Sequence, residues 1–217
     1  MSVEQPAQHV NVRRAYNSEN RRQRALDSHN ALLDSALARF LDDGYAATTI
    51  DSVAADATVS AATVYKTYGS KAGLVSALCE RALRGRGSVP AEQRSDTLQA
   101  NEPDPRKIIA GWGRLTAEVA PRIAPLMLLL RDAAGDDPAA AALLAELDRA
   151  RLVRMTHNAR SLVAGGHTRP GVRLSDASDV MWSYSSPELY DLLVRRRKWS
   201  LRKYGNFIAD SIARAML

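Results

Sequence analysis

Three helix-start signals lie within residues 44–78, and this stretch constrains the fold more than any other part of the chain. A hydroxyl oxygen at a helix start accepts hydrogen bonds from the free N–H groups of the first turn. The candidate caps are Thr48 or Thr49 for a first short helix, Ser60 for a second and Ser70 for a third. Gly69 can adopt the left-handed conformation that ends the second helix. Two short helices joined by a tight turn predict a helix-turn-helix.

The second of these helices opens with small side chains, so its backbone can come close to another molecule. At a DNA major groove, hydroxyls can donate to or accept from base edges, and alanine methyls can contact the thymine methyl. Longer donors can reach flanking phosphates, which fix register without reading sequence. The pattern nominates a DNA-binding set of Thr48, Thr49, Ser60, Ala61, Ala62, Thr63, Tyr65, Lys66, Tyr68 and Lys71. On spacing alone, a helical hairpin that only packs is an equal interpretation.

The stretch resembles the N-terminal DNA-binding domain of the TetR (tetracycline repressor-like) family of transcriptional regulators, over about residues 25–80. The matching residues are Thr48, Thr49, Ile50, Val53, Ala54, Ala57, Val59, Ser60, Thr63, Tyr65, Tyr68, Ser70, Lys71 and Leu74. Three positions depart from the family pattern: Thr58 replaces a usual turn glycine, Thr67 a common histidine and Tyr68 a common phenylalanine. We expect Thr58 to strain the turn, because a β-branched residue is costly at positive φ.

The resemblance implies a ligand-responsive DNA-binding regulator, in most of the family a repressor, released from a palindromic operator by a small molecule. It also implies a second helical domain that encloses an effector pocket and forms a homodimer through its last two helices. For the pocket we nominate Trp112, Met127, Met155, His157, Trp182 and Tyr184, although each one alone is more simply explained as core. For the dimer face we nominate residues 182–194 and 204–215.

Helical periodicity without strand-like alternation predicts an all-α fold. We expect a flexible basic arm over residues 1–20, followed by a helix-turn-helix domain with its connecting helix over residues 21–86. Residues 87–105, rich in Gly, Pro and polar side chains, predict a linker, and residues 106–217 an effector-binding and dimerisation domain. Within it, one helix should end near Pro121 and another begin at Ile123. Arginines near the arm could contact DNA or only aid solubility: Arg13, Arg14, Arg21, Arg22 and Arg24.

The net charge of +6 suits a polyanionic partner but is not concentrated in the predicted DNA-binding half. Residues 1–86 contain 11 Lys and Arg against 9 Asp and Glu, and the remainder contains 19 against 15. A single cysteine, no leader and no long apolar run predict a cytoplasmic protein without membrane contact. The sequence lacks metal-ligand, nucleophile-elbow and phosphate-loop motifs, so we expect neither an enzyme nor a cofactor. The alternative function is a helical scaffold or adaptor that has lost specific DNA binding.

Overall fold

The structure, a computed structural model, describes the backbone of residues 9–217 and the side chains of residue 23 and residues 27–217. In this part of the chain all regular structure is helical, which confirms the predicted all-α class. The helices are α1 (His9–Ala47), α2 (Ile50–Asp56), α3 (Ala61–Tyr68), α4 (Lys71–Arg84), α5 (Ala91–Asn101), α6 (Pro105–Ala133), α7 (Pro138–Ala164), α8 (Leu174–Tyr184), α9 (Pro187–Tyr190) and α10 (Leu201–Met216). A π-helical turn, Asp191–Arg196, continues α9.

We call residues 27–84 the head. Its four helices bury one apolar cluster, in which Phe40, Val53, Val64 and Leu74 are completely enclosed. These residues come from α1, α2, α3 and α4 in turn, as the helical spacing of the sequence predicts. Leu130 of α6 also belongs to this cluster, so the head rests directly on the next part of the chain.

We call residues 91–216 the body. Its own apolar cluster joins the first half of α6 to α7, α8 and α10. The α6 helix therefore lines both clusters, its N-terminal half facing the body core and its C-terminal half facing the head core. This shared helix sets the position of the head on the body.

The predicted end of one helix near Pro121 and start of another at Ile123 are wrong, because α6 runs unbroken through both Pro121 and Pro125. An internal proline removes one backbone hydrogen bond and costs about 3 kcal/mol. Here the residues around the prolines are buried, among them Ala124 and Leu126. Burial of apolar side chains against two cores stabilises the continuous helix by more than the prolines destabilise it.

The predicted linker over residues 87–105 is also wrong, because α5 forms within it. The buried side of α5 is made of Ala91 and Ser95, and Leu98 packs on the body cluster one turn further. These residues recur at helical spacing, but only one is large and apolar, so a search for apolar periodicity misses them. The body thus begins at α5.

The predicted flexible arm lies partly outside the described residues, which begin at His9. From His9 the backbone is helical and continues without a break into the predicted helix-turn-helix domain, so the expectation of a flexible arm is wrong for residues 9–20. No Pro or Gly occurs between residues 9 and 43, so nothing local ends the helix. The side chains of Arg13, Arg14, Arg21, Arg22 and Arg24 lie outside the described residues.

The α6 and α10 helices touch through their backbones. A Cβ atom on Gly205 would lie 2.7 Å from the Gly113 carbonyl oxygen, and one on Gly113 would overlap the Gly205 carbonyl. Glycine is therefore required at both positions for this close approach. The contact draws α10 onto α6 and encloses Tyr204 and Ile208.

Candidate nucleic-acid interface

The three predicted helix starts are present in the structure, and each is capped by a side-chain hydroxyl. Thr49 Oγ1 accepts a hydrogen bond from the Ser52 amide at 3.1 Å, and Ser52 Oγ accepts from the Thr49 amide at 3.2 Å. Ser60 Oγ accepts from the Thr63 amide at 3.1 Å, and Ser70 caps α4 in the same way. Each cap pairs at least one of the free amides in the first turn of its helix.

One fully buried side chain, that of Val64, anchors α3 in the head. Val64 is completely buried, and Ala61 and Tyr68 are half-buried beside it. The opposite side of the helix is exposed to solvent along its whole length. The exposed residues are Ala62, Thr63, Tyr65, Lys66 and Thr67. All but Thr67 were nominated from the sequence, and the signal for Thr67 was its position one helical turn after Thr63.

The two hydroxyls at the start of α3 act as a pair. Ser60 Oγ lies 2.8 Å from Thr63 Oγ1, and Ser60 Oγ already accepts from the Thr63 amide. Whichever hydroxyl donates within the pair, the other keeps its proton for an outside acceptor. Small side chains around a free donor suit the acceptor atoms of a base edge.

The turn between α2 and α3 contains the strain that the sequence predicts. Thr58 has φ of 54°, a left-handed conformation that is uncommon for a β-branched residue. The next amide, of Val59, donates to the Ala54 carbonyl at 2.9 Å, which fixes the turn. The substitution of the family's usual glycine therefore leaves the turn formed, with a strained residue at its centre.

The assignment of Thr48 to a DNA-contacting set is wrong for its side chain. Thr48 is 1% exposed, and its hydroxyl donates to the Gly44 carbonyl at 2.8 Å. Gly44 interrupts the end of α1 with φ of 84°, and its carbonyl accepts from both the amide and the hydroxyl of Thr48. Thr48 thus holds the end of α1, and Thr49 alone caps α2.

Two nominated residues brace the head. The Lys71 ammonium donates to the Tyr45 carbonyl at 2.9 Å and lies 4.3 Å from the centre of the Tyr45 ring. Tyr68 Oη lies 3.0 Å from His29 Nδ1, which ties the end of α3 to α1. Burial raises the pKa of the Tyr68 phenol, so this group stays protonated at neutral pH. Both side chains position α3 and α4 whatever else they contact.

Acidic side chains of the head are partly neutralised. Arg39 binds Asp56 at 2.5 Å and Asp43 at 3.2 Å. The hydrogen bond from Arg39 lowers the pKa of Asp56, which stays ionised and paired. Pairing of two carboxylates with one guanidinium weakens the repulsion that they would exert on phosphate.

Comparison with known proteins bears on this geometry. Residues 32–78, which contain α2, α3 and most of α4, match the family model described as bacterial regulatory proteins, tetR family. A curated relative, the uncharacterized HTH-type transcriptional regulator YvkB of Bacillus subtilis (strain 168), is 35% identical over 69 residues. That match spans 32% of this chain and 36% of YvkB. Over the head, the chain is therefore similar to the tetR family of bacterial regulatory proteins.

Solved structures share the fold beyond the head. Bacillus subtilis FadR, in complex with stearoyl-CoA, superposes with a TM-score of 0.68 at 15% identity, covering 87% of this chain and 100% of FadR. NalD, the secondary repressor of the MexAB-OprM multidrug efflux pump in Pseudomonas aeruginosa, gives 0.69 at 15%, covering 90% and 98%. At this identity the likeness shows that the body shares the fold of these two proteins.

The structure brings only some of the residues nominated for the effector pocket together. Trp112, Met155 and Tyr184 belong to the body's apolar cluster, while Met127 is buried outside that cluster. Trp112 Nε1 donates to Ser95 Oγ at 3.1 Å. The indole N–H of Trp112 is thus hydrogen-bonded to α5, which lies in the segment predicted to be a linker.

The remaining two nominated residues lie in polar surroundings. His157 is exposed, with Nε2 3.3 Å from Asp96 Oδ1. Arg154 donates to the same carboxylate at 2.6 Å, and this hydrogen bond is the largest cause of the lowered pKa of Asp96. Trp182 is half-buried, with the Arg151 guanidinium 4.4 Å from its ring centre.

The apolar side of the last helix is used within the chain. Tyr204, Ile208 and Ile212 are buried against the body, although residues 204–215 were nominated for a dimer face. The outward side of α10 is polar, with Arg202, Asn206, Asp210 and Arg214 exposed. A contact between two copies through α10 would therefore use polar residues and the half-buried side chains next to them.

Proposed function

We propose that this chain is a tetR-type transcriptional regulator that binds an operator with α3 in the major groove. The observation that carries the proposal is the seating of α3. Val64 alone anchors its centre, and small and hydroxyl side chains cover the outward N-terminal surface. A recognition helix approaches base edges with its N-terminal residues. The Ser60–Thr63 pair would read bases, and Tyr65 and Lys66 would contact phosphates.

We propose further that two copies bind a palindromic operator. One short helix reads few bases, and two copies can occupy half-sites about 34–36 Å apart. The nominated dimer segments, residues 182–194 and 204–215, remain our proposal for the contact. Leu192 is 52% exposed and fits such a contact. A cytoplasmic location follows from the operator as partner.

We propose that a small molecule releases the regulator from DNA. FadR of Bacillus subtilis was solved with stearoyl-CoA, and we extend only the idea of a small-molecule effector to this chain. The α4 helix packs on both α1 and α6, so it can transmit a change in the body to the head. Arg86, just after α4, donates its amide to Glu118 of α6. A ligand that favours a wrong spacing of the two heads shifts the population away from DNA.

The test begins with a genomic pull-down of bound DNA, which identifies an operator by its symmetry. The affinity of variants for that operator and its single-base changes is then measured by fluorescence anisotropy. Thr63→Val keeps the shape and removes one hydroxyl, and we expect a changed base preference of about 1 kcal/mol or more per affected pair. Lys66→Gln should weaken binding to all sequences and reduce the salt slope by about one.

The matched control is Thr97→Val, which removes an exposed hydroxyl from α5 of the body. It should leave both affinity and preference unchanged. Equal effects of Thr63→Val and Thr97→Val would contradict a reading role for α3. No sequence-preferring binding by the wild-type chain would favour the scaffold or adaptor instead.

A further inference from the structure

The positive charge of the body is concentrated in its last 31 residues. Residues 187–217 contain seven Lys and Arg against three Asp and Glu, whereas residues 87–186 contain twelve of each. The net charge of +4 beyond the head therefore comes from this segment alone. Six of its seven cations fall within residues 195–203, which we call the basic bend.

The basic bend joins the π-helical turn to α10 and is exposed. Arg195 and Arg196 share one carboxylate, Asp191, at 3.1 and 2.7 Å. The other four cations are exposed and have no carboxylate within 4.0 Å among the residues whose side chains the structure describes. They are Arg197, Lys198, Arg202 and Lys203. The acids beside the six cations are Asp191, which pairs with two of them, and Asp210, which lines the same groove as Arg202 and Lys203. The basic bend therefore keeps an excess of positive charge.

Backbone and ring contacts fix the shape of the basic bend. The Trp199 amide donates to the Leu193 carbonyl at 3.0 Å, and Lys198 takes a left-handed conformation with φ of 57°. Lys203 lies 4.0 Å from the centre of the Trp199 ring, which also contacts Phe207 edge-on. The cations are thus held on an ordered turn, which lowers the entropy lost when they bind a partner.

The residue types fit phosphate groups. Four of the six cations are arginines, whose planar guanidinium matches phosphate oxygens. Ser200 caps α10, so the free amides of that helix start point toward the same surface and favour negative charge. We infer that the basic bend is a second contact for double-stranded DNA, made to the phosphate backbone without reading sequence. This inference rests on the proposed function, which supplies duplex DNA as the polyanion.

An anionic membrane surface is the main alternative partner for a basic segment. Peripheral insertion needs a contiguous apolar wedge beside the cations. Here the indole of Trp199 is occupied by Lys203 and Phe207. Two large apolar side chains at the ends of the segment are exposed, Leu192 at 52% and Leu201 at 37%. The excess of cations over apolar surface favours DNA phosphates.

The test compares two variants with equal net charge. The first carries Arg197→Gln, Lys198→Gln, Arg202→Gln and Lys203→Gln. The control carries Arg106→Gln, Arg114→Gln, Arg149→Gln and Arg160→Gln, four exposed arginines elsewhere in the body. Binding to a 30-base-pair duplex without operator is measured by anisotropy at several salt concentrations. Each lost phosphate contact lowers the slope of log affinity against log salt by about 0.9.

We expect the basic-bend variant to lose between about two and four units of salt slope, and the control to lose less than one. Equal slopes for the two variants, or an unchanged slope for the first, would overturn the inference. Binding of the wild type to phosphatidylglycerol vesicles that depends on the basic bend, with no change on DNA, would also overturn it. Thermal unfolding of both variants checks that the fold is retained.

Failure of this inference is separable from failure of the proposed function. If Thr63→Val changes operator preference while the basic-bend variant keeps its salt slope, the operator model stands and the second contact falls. If the basic-bend variant loses slope while no operator preference exists, the second contact stands and the proposed function falls.

Discussion

The head and the body differ in how their helices are held. In the head, short helices carry their own hydroxyl caps and seat on one or two buried residues, as α3 does on Val64. In the body, long helices meet through backbone contact at Gly113 and Gly205 and through ion pairs such as Arg94 with Glu118. Both regions use side-chain caps and ion pairs between distant residues. The head keeps the outward surface of α3 free, whereas the body brings two long helices into backbone contact.

The largest effect is expected from a substitution that breaks the backbone contact between α6 and α10. Gly113→Ala places a methyl group against the Gly205 carbonyl and Ala209, so α6 and α10 must separate. Overpacking of this kind costs about 3 kcal/mol. Urea unfolding followed by circular dichroism measures the loss. Gly135→Ala is the control, because no atom lies within 4 Å of the added Cβ, and a similar loss in both variants would refute the contact.

A smaller effect is expected from loss of the ion pair that joins α5 to α6 within the body. Glu118 accepts from Arg94 at 2.6 and 3.0 Å and from the Arg86 amide, and the Arg94 bond is the largest cause of its lowered pKa. Glu118→Gln should lower the free energy of unfolding by about 2 kcal/mol at pH 7. Urea unfolding from pH 7 to pH 3 measures the difference.

The pH dependence has a defined sign. A carboxyl whose pKa is lowered by folding stabilises the protein fully above its unfolded pKa of about 4.3, and this stability is lost as pH falls through the lower folded pKa. The gap between wild type and Glu118→Gln should therefore close in acid. The control Glu146→Gln, at an exposed position of α7, should show no gap at any pH. A gap that widened in acid would exclude this ion pair as its cause.

The smallest effect compares the two non-glycine residues at positive φ, one in each region. Thr58→Gly in the head and Lys198→Gly in the body should each raise the free energy of unfolding by about 0.5–1 kcal/mol, because glycine relieves the left-handed strain. Thr97→Gly within α5 should have the opposite sign. Thermal unfolding of the three variants tests this. Destabilisation by Thr58→Gly would show that the turn needs its threonine.

The sequence predicted the head more fully than the body, for physical reasons. Caps at Ser60 and Ser70 and the turn at Thr58 are local, so spacing alone places them. Thr48 was misassigned, because its side chain is buried and its hydroxyl donates to the Gly44 carbonyl at the irregular end of α1. A local sequence pattern does not reveal such a partner, because the two groups come together only in the folded chain.

In the body the missed features are long-range. The α5 helix is stabilised by polar contacts, such as Ser95 with Trp112, that apolar periodicity does not register. The α6 helix tolerates Pro121 because two separate cores bury its flanks. Trp182 was chosen for the pocket by its size, but its ring packs against Arg151, which is distant in the sequence.

The central claim, that α3 lies against operator bases, is tested most directly by site-specific cross-linking. The native Cys79 is completely buried, and burial raises the pKa of its thiol to about 12, so it does not compete. Ala62→Cys and Ala100→Cys each add an exposed thiol, on α3 and on α5 respectively. Both are incubated with operator duplex carrying a tethered disulfide in the major groove.

We expect Ala62→Cys to form a protein–DNA disulfide at operator half-sites, and Ala100→Cys to form none above the level seen with non-operator duplex. Equal cross-linking of the two variants, or none from Ala62→Cys in a complex that still binds operator, would contradict the account.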